Sequence, residues 1–174
     1  SSSSRGIRAF SGMNKTVSPR TVFTSPVHFL AFGFGSGLAP WAPGTAGTLV
    51  AVVLEWPMRA QSFEIRLLVA TAMFAVGIWI CGESARNLDA HDHPGIVWDE
   101  FAGYFLTMLL APSGWIWSLV GFALFRFFDI LKPWPIREID HRLGGGIGIM
   151  VDDTLAGVFA GAILWGIAQS LVYL

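Results

Sequence analysis

Two pairs of adjacent acids stand at the edge of apolar runs. IVWDEFAG, residues 96–103, places Asp99 and Glu100 ahead of FLTMLLA, and GIMVDDTLAG, residues 148–157, places Asp152 and Asp153 ahead of an apolar stretch that reaches the C-terminus. At membrane depth a carboxylate costs about 2.5–3.5 kcal/mol, so acids persist there only when they face a cavity, a cation or one another. In each stretch a glycine follows an acid by four residues, Gly103 after Asp99 and Gly157 after Asp153, and the two then share a helical face. The glycine leaves room beside the acid for a second helix or a ligand. Two such pairs on two helices suit a hard cation such as Mg²⁺, which binds through a few carboxylates plus water and phosphate oxygens. Either pair taken alone could equally be a helix cap, since acids are favoured at the positive end of a helix.

Basic groups lie close by. In RFFDILKPWPI, residues 126–136, Arg126, Asp129 and Lys132 recur every three residues, which gathers them on one side of a helix that Pro133 must end. Asp129 could join the shell of a cation while Arg126 and Lys132 donate to phosphate oxygens, or the three could form a salt-bridge ladder with snorkelling side chains. APWAPGTAGTL, residues 39–49, is a loop stiffened by proline and glycine that runs into an apolar helix. Backbone N–H groups around Gly44, Thr45 and Thr48 could cradle an anion there, or the segment could be a tight turn with a threonine cap. It lacks the GK[ST] ending of a P-loop. DAHDHPG, residues 89–95, offers His91 and His93, too few ligands for zinc, although His91 could hold or release a proton near neutral pH.

The elements that must carry these residues are apolar. Of 174 residues 53% are hydrophobic and only 13% charged, against about 25% charged in an ordinary soluble domain. A net charge of −1 carries no nucleic-acid footprint. The one cysteine, Cys81, lies in an apolar segment and reads as a small buried residue. Residues 1–12, SSSSRGIRAFSG, read as an appended remnant, 13–26 as a basic cytoplasmic leader, and 27–174 as one membrane-embedded catalytic domain. A bilayer-crossing helix needs about 20 mostly apolar residues. Ile65–Cys81, Phe101–Pro112 extended back through the acids, Gly114–Leu131 and Thr154–Leu174 approach that, as does the weaker Thr48–Met58 with its Glu55. Val27–Leu38 reads as a short re-entrant or interfacial piece. The expected fold class is therefore all-α: a polytopic membrane helical bundle of about five transmembrane helices plus that N-terminal element.

With five spans, the connectors rich in Asp, Arg, His, Gly and Pro fall on one side, together with seven of the twelve acids: Asp92, Asp99, Glu100, Asp129, Asp140, Asp152 and Asp153. Nine of the eleven Lys and Arg residues share that side, against Arg59 and Arg66 on the other, which makes the acid-rich side cytoplasmic. A water-soluble bundle would need polar outer faces that the segments lack. An ion-coupled small membrane transporter is the competing class, but it would place acids deep in several spans, and only Glu55 is so placed.

Taken together, GFGSGLAPWAPGTAGTL, HDHPGIVWDEFAG, FRFFDILKPWPIREID and GGGIGIMVDDTLAG resemble, in order and from about Phe29 to the C-terminus, the phosphatidylglycerophosphatase A family of bacterial membrane lipid phosphatases. The resemblance implies an all-helical, Mg²⁺-dependent enzyme of the inner membrane that hydrolyses phosphatidylglycerophosphate to phosphatidylglycerol and inorganic phosphate. It places catalytic and metal-binding roles on Asp99, Glu100, Asp129, Asp152 and Asp153. Arg126, Lys132, Gly44, Thr45, Thr48 and His91 are the expected substrate contacts. The expected partner is a phospholipid in the bilayer, with a second copy of the chain left open. No motif cysteine, DxDxT start or DGxxAR run is present, so a water activated by the cation is the expected nucleophile.

Overall fold

Serine and proline set the first helix starts. In the computed structural model, which describes residues 16–90 and 92–172 (at 140 and 141 the backbone alone), Ser18 and Ser25 cap α1 (Pro19–Thr24) and α2 (Pro26–Ala31). Each of these helices opens on a proline, whose missing N–H costs nothing there. Ala42, in the left-handed region at φ 45° and followed by another proline, turns the chain into α3 (Pro43–Glu55). Ser62 caps α4 (Phe63–Asn87), and α5 (Trp98–Thr107), α6 (Trp115–Leu131), α7 (Ile136–Arg142) and α8 (Gly145–Val172) complete the chain. Among the described residues there is no strand.

α4, with 25 residues, and α8, with 28, are long and apolar enough to cross a membrane. The other expected spans are shorter: α3 has 13 residues, α5 has 10 and α6 has 17. At 1.5 Å per residue α5 is only about 15 Å long, half a bilayer core. Its apolar composition has another cause, because Phe101, Tyr104 and most of its other side chains are buried against α3, α4, α6 and α8. A helix apolar on every side belongs in a core. Cys81 is likewise buried.

α8 begins nine residues before the expected Thr154, which changes the meaning of its acids. Asp152 and Asp153 sit about two turns inside the helix, where N-capping cannot account for them; Asp99 and Glu100 do occupy the first turn of α5. The motif glycines meet each other. A Cβ on Gly157 would overlap the Gly103 carbonyl oxygen, and one on Gly103 would come within 2.7 Å of the Asp153 carbonyl oxygen. The room that each glycine leaves is therefore filled by the partner helix, and this contact brings the two acid pairs together.

Two core groups flank this crossing. Phe32, Ile80, Ile149 and Met150 join α2, α4 and α8, while Phe101, Tyr104, Phe125 and Leu164 join α5, α6 and α8. Large apolar side chains also cover the outside, among them Leu68, Trp79, Leu119, Phe127 and Trp165. At the end of the bundle away from the acid pairs, Glu55 is 2% exposed and pairs with Arg59 at 2.8 Å and Arg66 at 3.3 Å. Arg59 also donates to the Gly114 carbonyl and Arg66 to that of Met108, so one ion-paired cluster ties the ends of α3 and α5 to the starts of α4 and α6.

Candidate active site

All five expected acids line one cavity of about 300 Å³, with Pro43, Gly44, Asp92, Pro94, Arg126 and Lys132 among its other walls. Three helices deliver them. Asp99 and Glu100 come from the start of α5, Asp129 from the last turns of α6, and Asp152 and Asp153 from the stretch of α8 that crosses α5. Carboxylate oxygens of Glu100, Asp129 and Asp153 lie within 4.8 Å of one another. Asp99 Oδ1 and Asp153 Oδ2 are buried without a hydrogen-bond partner among the described residues. A buried oxygen in that condition is costly unless something positive meets it. The donor set, all carboxylate, fits a hard divalent cation.

The basic groups are threaded between the acids. Arg126 donates to Glu100 Oε2 at 2.7 Å and also to Asp129. Arg126 and Asp129 thus pair along α6 as expected, while Lys132 donates to Asp152 and bridges α6 to α8. Backbone conformation makes this reach possible: Lys132 precedes Pro133, which disfavours a further helical residue, and it leaves α6 at φ 42°. With side-chain exposures of 14% and 27%, Arg126 and Lys132 are held at the wall rather than waving in solvent.

Gly44, Thr45 and Thr48, expected in a loop, form the first turns of α3. Gly44 lines the cavity, and a Cβ there would overlap Glu100 Oε1 and lie 3.0 Å from the Arg126 guanidinium. Thr48, expected among the phosphate contacts, is fully buried and donates to Glu100 Oε2 at 2.5 Å. Thr45 is half-buried on the same turn. His91 lies outside the described residues, as do residues 1–15 and the side chain of Asp140. His93 Nδ1 accepts from the Gly95 N–H, and its ring lies 5.5 Å from that of Phe32. Asp92 and Pro94 were not singled out as site residues; the polar run around His91 was the available signal. The steric demand at Gly44 had one too, its i, i+4 spacing from Thr48, but no indication of the facing helix.

An apolar helical bundle with six carboxylates, an arginine and a lysine around one cavity at its end defines an all-helical protein of membrane-type composition, with a donor set of the kind that suits a hard cation and a phosphate-like anion. Comparison with known proteins narrows this class. The chain belongs to the phosphatidylglycerophosphatase A family, whose sequence profile matches residues 29–168. It is 42% identical over 151 residues to phosphatidylglycerophosphatase A of Escherichia coli, covering 86% of this chain and 88% of that one. The Haemophilus influenzae protein of the same name is 45% identical over 148 residues, covering 82% and 89%. A Bacteroides thetaiotaomicron protein named, provisionally, as a phosphatidylinositol-3-phosphatase is 40% identical over 141 residues, covering 74% and 84%. No solved structure matches the fold.

Proposed function

We propose that the protein is a Mg²⁺-dependent phosphatase that hydrolyses phosphatidylglycerophosphate to phosphatidylglycerol and inorganic phosphate. It acts in glycerophospholipid synthesis in the bacterial cytoplasmic membrane. The observation that carries this reading is the convergence of Asp99, Glu100, Asp129, Asp152 and Asp153 with Arg126 and Lys132 on one cavity. When bound, Mg²⁺ would supply Lewis-acid stabilisation of the phosphoryl oxygens and make water a better nucleophile at neutral pH.

The five carboxylates would hold the cation, with Asp99 Oδ1 and Asp153 Oδ2 as the oxygens already free of other donors among the described residues. Arg126 and Lys132, now paired with acids, would turn part of their donor capacity to the remaining phosphate oxygens as charge builds in the transition state. Water adds to phosphorus as the bond to the glycerol oxygen breaks, and the proton surplus of the water leaves with the alcohol and phosphate.

We further propose that α4 and α8 cross the bilayer, that α3, α5 and α6 complete the bundle between them, and that the cavity opens on the cytoplasmic side. The excess of Lys and Arg at that end supports this orientation, and the two arginines at the other end share Glu55 as a carboxylate partner.

The relatives' names divide the substrate question into two lipid phosphomonoesters. Purified protein in detergent with Mg²⁺ should release phosphate from phosphatidylglycerophosphate with a kcat/KM at least about tenfold above that for phosphatidylinositol 3-phosphate, roughly 1.4 kcal/mol of discrimination. The reverse preference would reassign the substrate, and release from neither would remove the phosphatase reading.

A further inference from the structure

Both carboxylate oxygens of Glu100 are confined by neighbouring elements. Its Oε2 receives the Thr48 hydroxyl at 2.5 Å and the Arg126 guanidinium at 2.7 Å, while Oε1 lies against the bare Cα of Gly44. Gly44 and Thr48 are one turn apart on α3 and share the face that meets α5. Thr48 Oγ1 also lies 2.8 Å from the Gly44 carbonyl oxygen, the usual resting partner of a helical threonine. One hydroxyl proton cannot serve both acceptors fully. The charged one is the stronger, and 2.5 Å is a separation typical of a hydroxyl bound to a carboxylate.

We propose that Thr48 is a positioning residue of the active site: its hydroxyl, with Arg126, fixes the rotamer of Glu100 so that this carboxylate stays grouped with Asp129 and Asp153. Thr48 is 0% exposed and so has no access to substrate. Its effect passes through Glu100. Gly44 belongs to the same device, because any side chain there would displace the carboxylate that Thr48 holds. This assignment rests on the cation reading of the acid cluster.

The test uses the full chain in detergent and the pair Thr48→Val and Thr48→Ser. Valine keeps the volume and branching and removes the hydroxyl; serine keeps the hydroxyl. Mn²⁺ affinity is read by electron paramagnetic resonance, phosphate release gives kcat and KM, and thermal unfolding reports on folding. Thr48→Val should weaken Mn²⁺ binding and lower kcat by about 10- to 100-fold each, with the lipid KM within about twofold and the Thr48→Ser values close to those of the parent. A parent that binds Mn²⁺ while Thr48→Val keeps both affinity and kcat overturns the proposal alone. So does a variant in which only KM rises, or a serine variant no better than valine, or a fall in unfolding temperature with affinity and kcat intact. A parent that releases phosphate without binding Mn²⁺ overturns the cation reading beneath it.

Discussion

Lys132 joins a backbone choice to a charge. Pro133 forces it out of the helix, and the left-handed turn that results swings its ammonium group from α6 to Asp152 on α8. The same group is the more exposed of the two cavity cations and the better placed to meet a ligand. Lys132→Met should therefore lower kcat/KM for the lipid phosphate by about 100-fold, near 2.7 kcal/mol, as for loss of one transition-state donor. Steady-state phosphate release measures this, and a variant within about twofold of the parent would reduce Lys132 to a structural ion pair. At this scale the sequence was largely legible. Paired acids in apolar surroundings have few explanations, and all four, with Asp129, line the cavity. The hydrogen bond of Thr48 to Glu100, 52 residues away, is not legible in the sequence, because no local pattern announces a contact between two helices.

The elements were less legible than the residues. Hydropathy alone makes Phe101–Pro112 a span, yet α5 is a short buried rod whose apolarity serves packing. Likewise the glycines of GGGIGIMVDDTLAG obscured a helix that starts at Gly145. Glycine is a poor helix former, by about 1 kcal/mol against alanine, but close approach to α4 and α5 overrides that preference. Three glycines of α8 grade this constraint. A Cβ at Gly157 overlaps the Gly103 carbonyl oxygen, one at Gly161 lies 3.1 Å from that of Thr107, and one at Gly166 meets nothing within 4 Å. Gly157→Ala should lose about 1–3 kcal/mol through overpacking, and its activity should fall with the α5–α8 spacing. Gly161→Ala should be milder, and Gly166→Ala neutral or stabilising by up to about 1 kcal/mol. Thermal unfolding in detergent orders the three; equal effects would mean that the crossing does not depend on the glycine contact.

Across the whole molecule, charge is divided between two ends with different purposes. At one end Glu55 pairs with Arg59 and Arg66, which also donate to backbone carbonyls at two helix ends, and so form a structural cluster. At the other, six acids outnumber Arg126 and Lys132, and buried oxygens of Asp99 and Asp153 are left without donors among the described residues. Composition had indicated a membrane bundle with one acid-rich side. It could not show that three helices of unequal length would place those acids around a single cavity, since that depends on how α8 crosses α5. The surplus of negative charge is the physical basis of the proposed cation-dependent reaction on a lipid phosphate. The most direct test is phosphate release from phosphatidylglycerophosphate by the purified protein, measured with Mg²⁺, with a chelator, and for Asp99→Asn and Asp153→Asn. The expected result is release with Mg²⁺ that chelation abolishes and restored Mg²⁺ recovers, and a loss of at least about 100-fold in each variant, near 2.7 kcal/mol. Release that survives chelation, or either variant at parental activity, would contradict it.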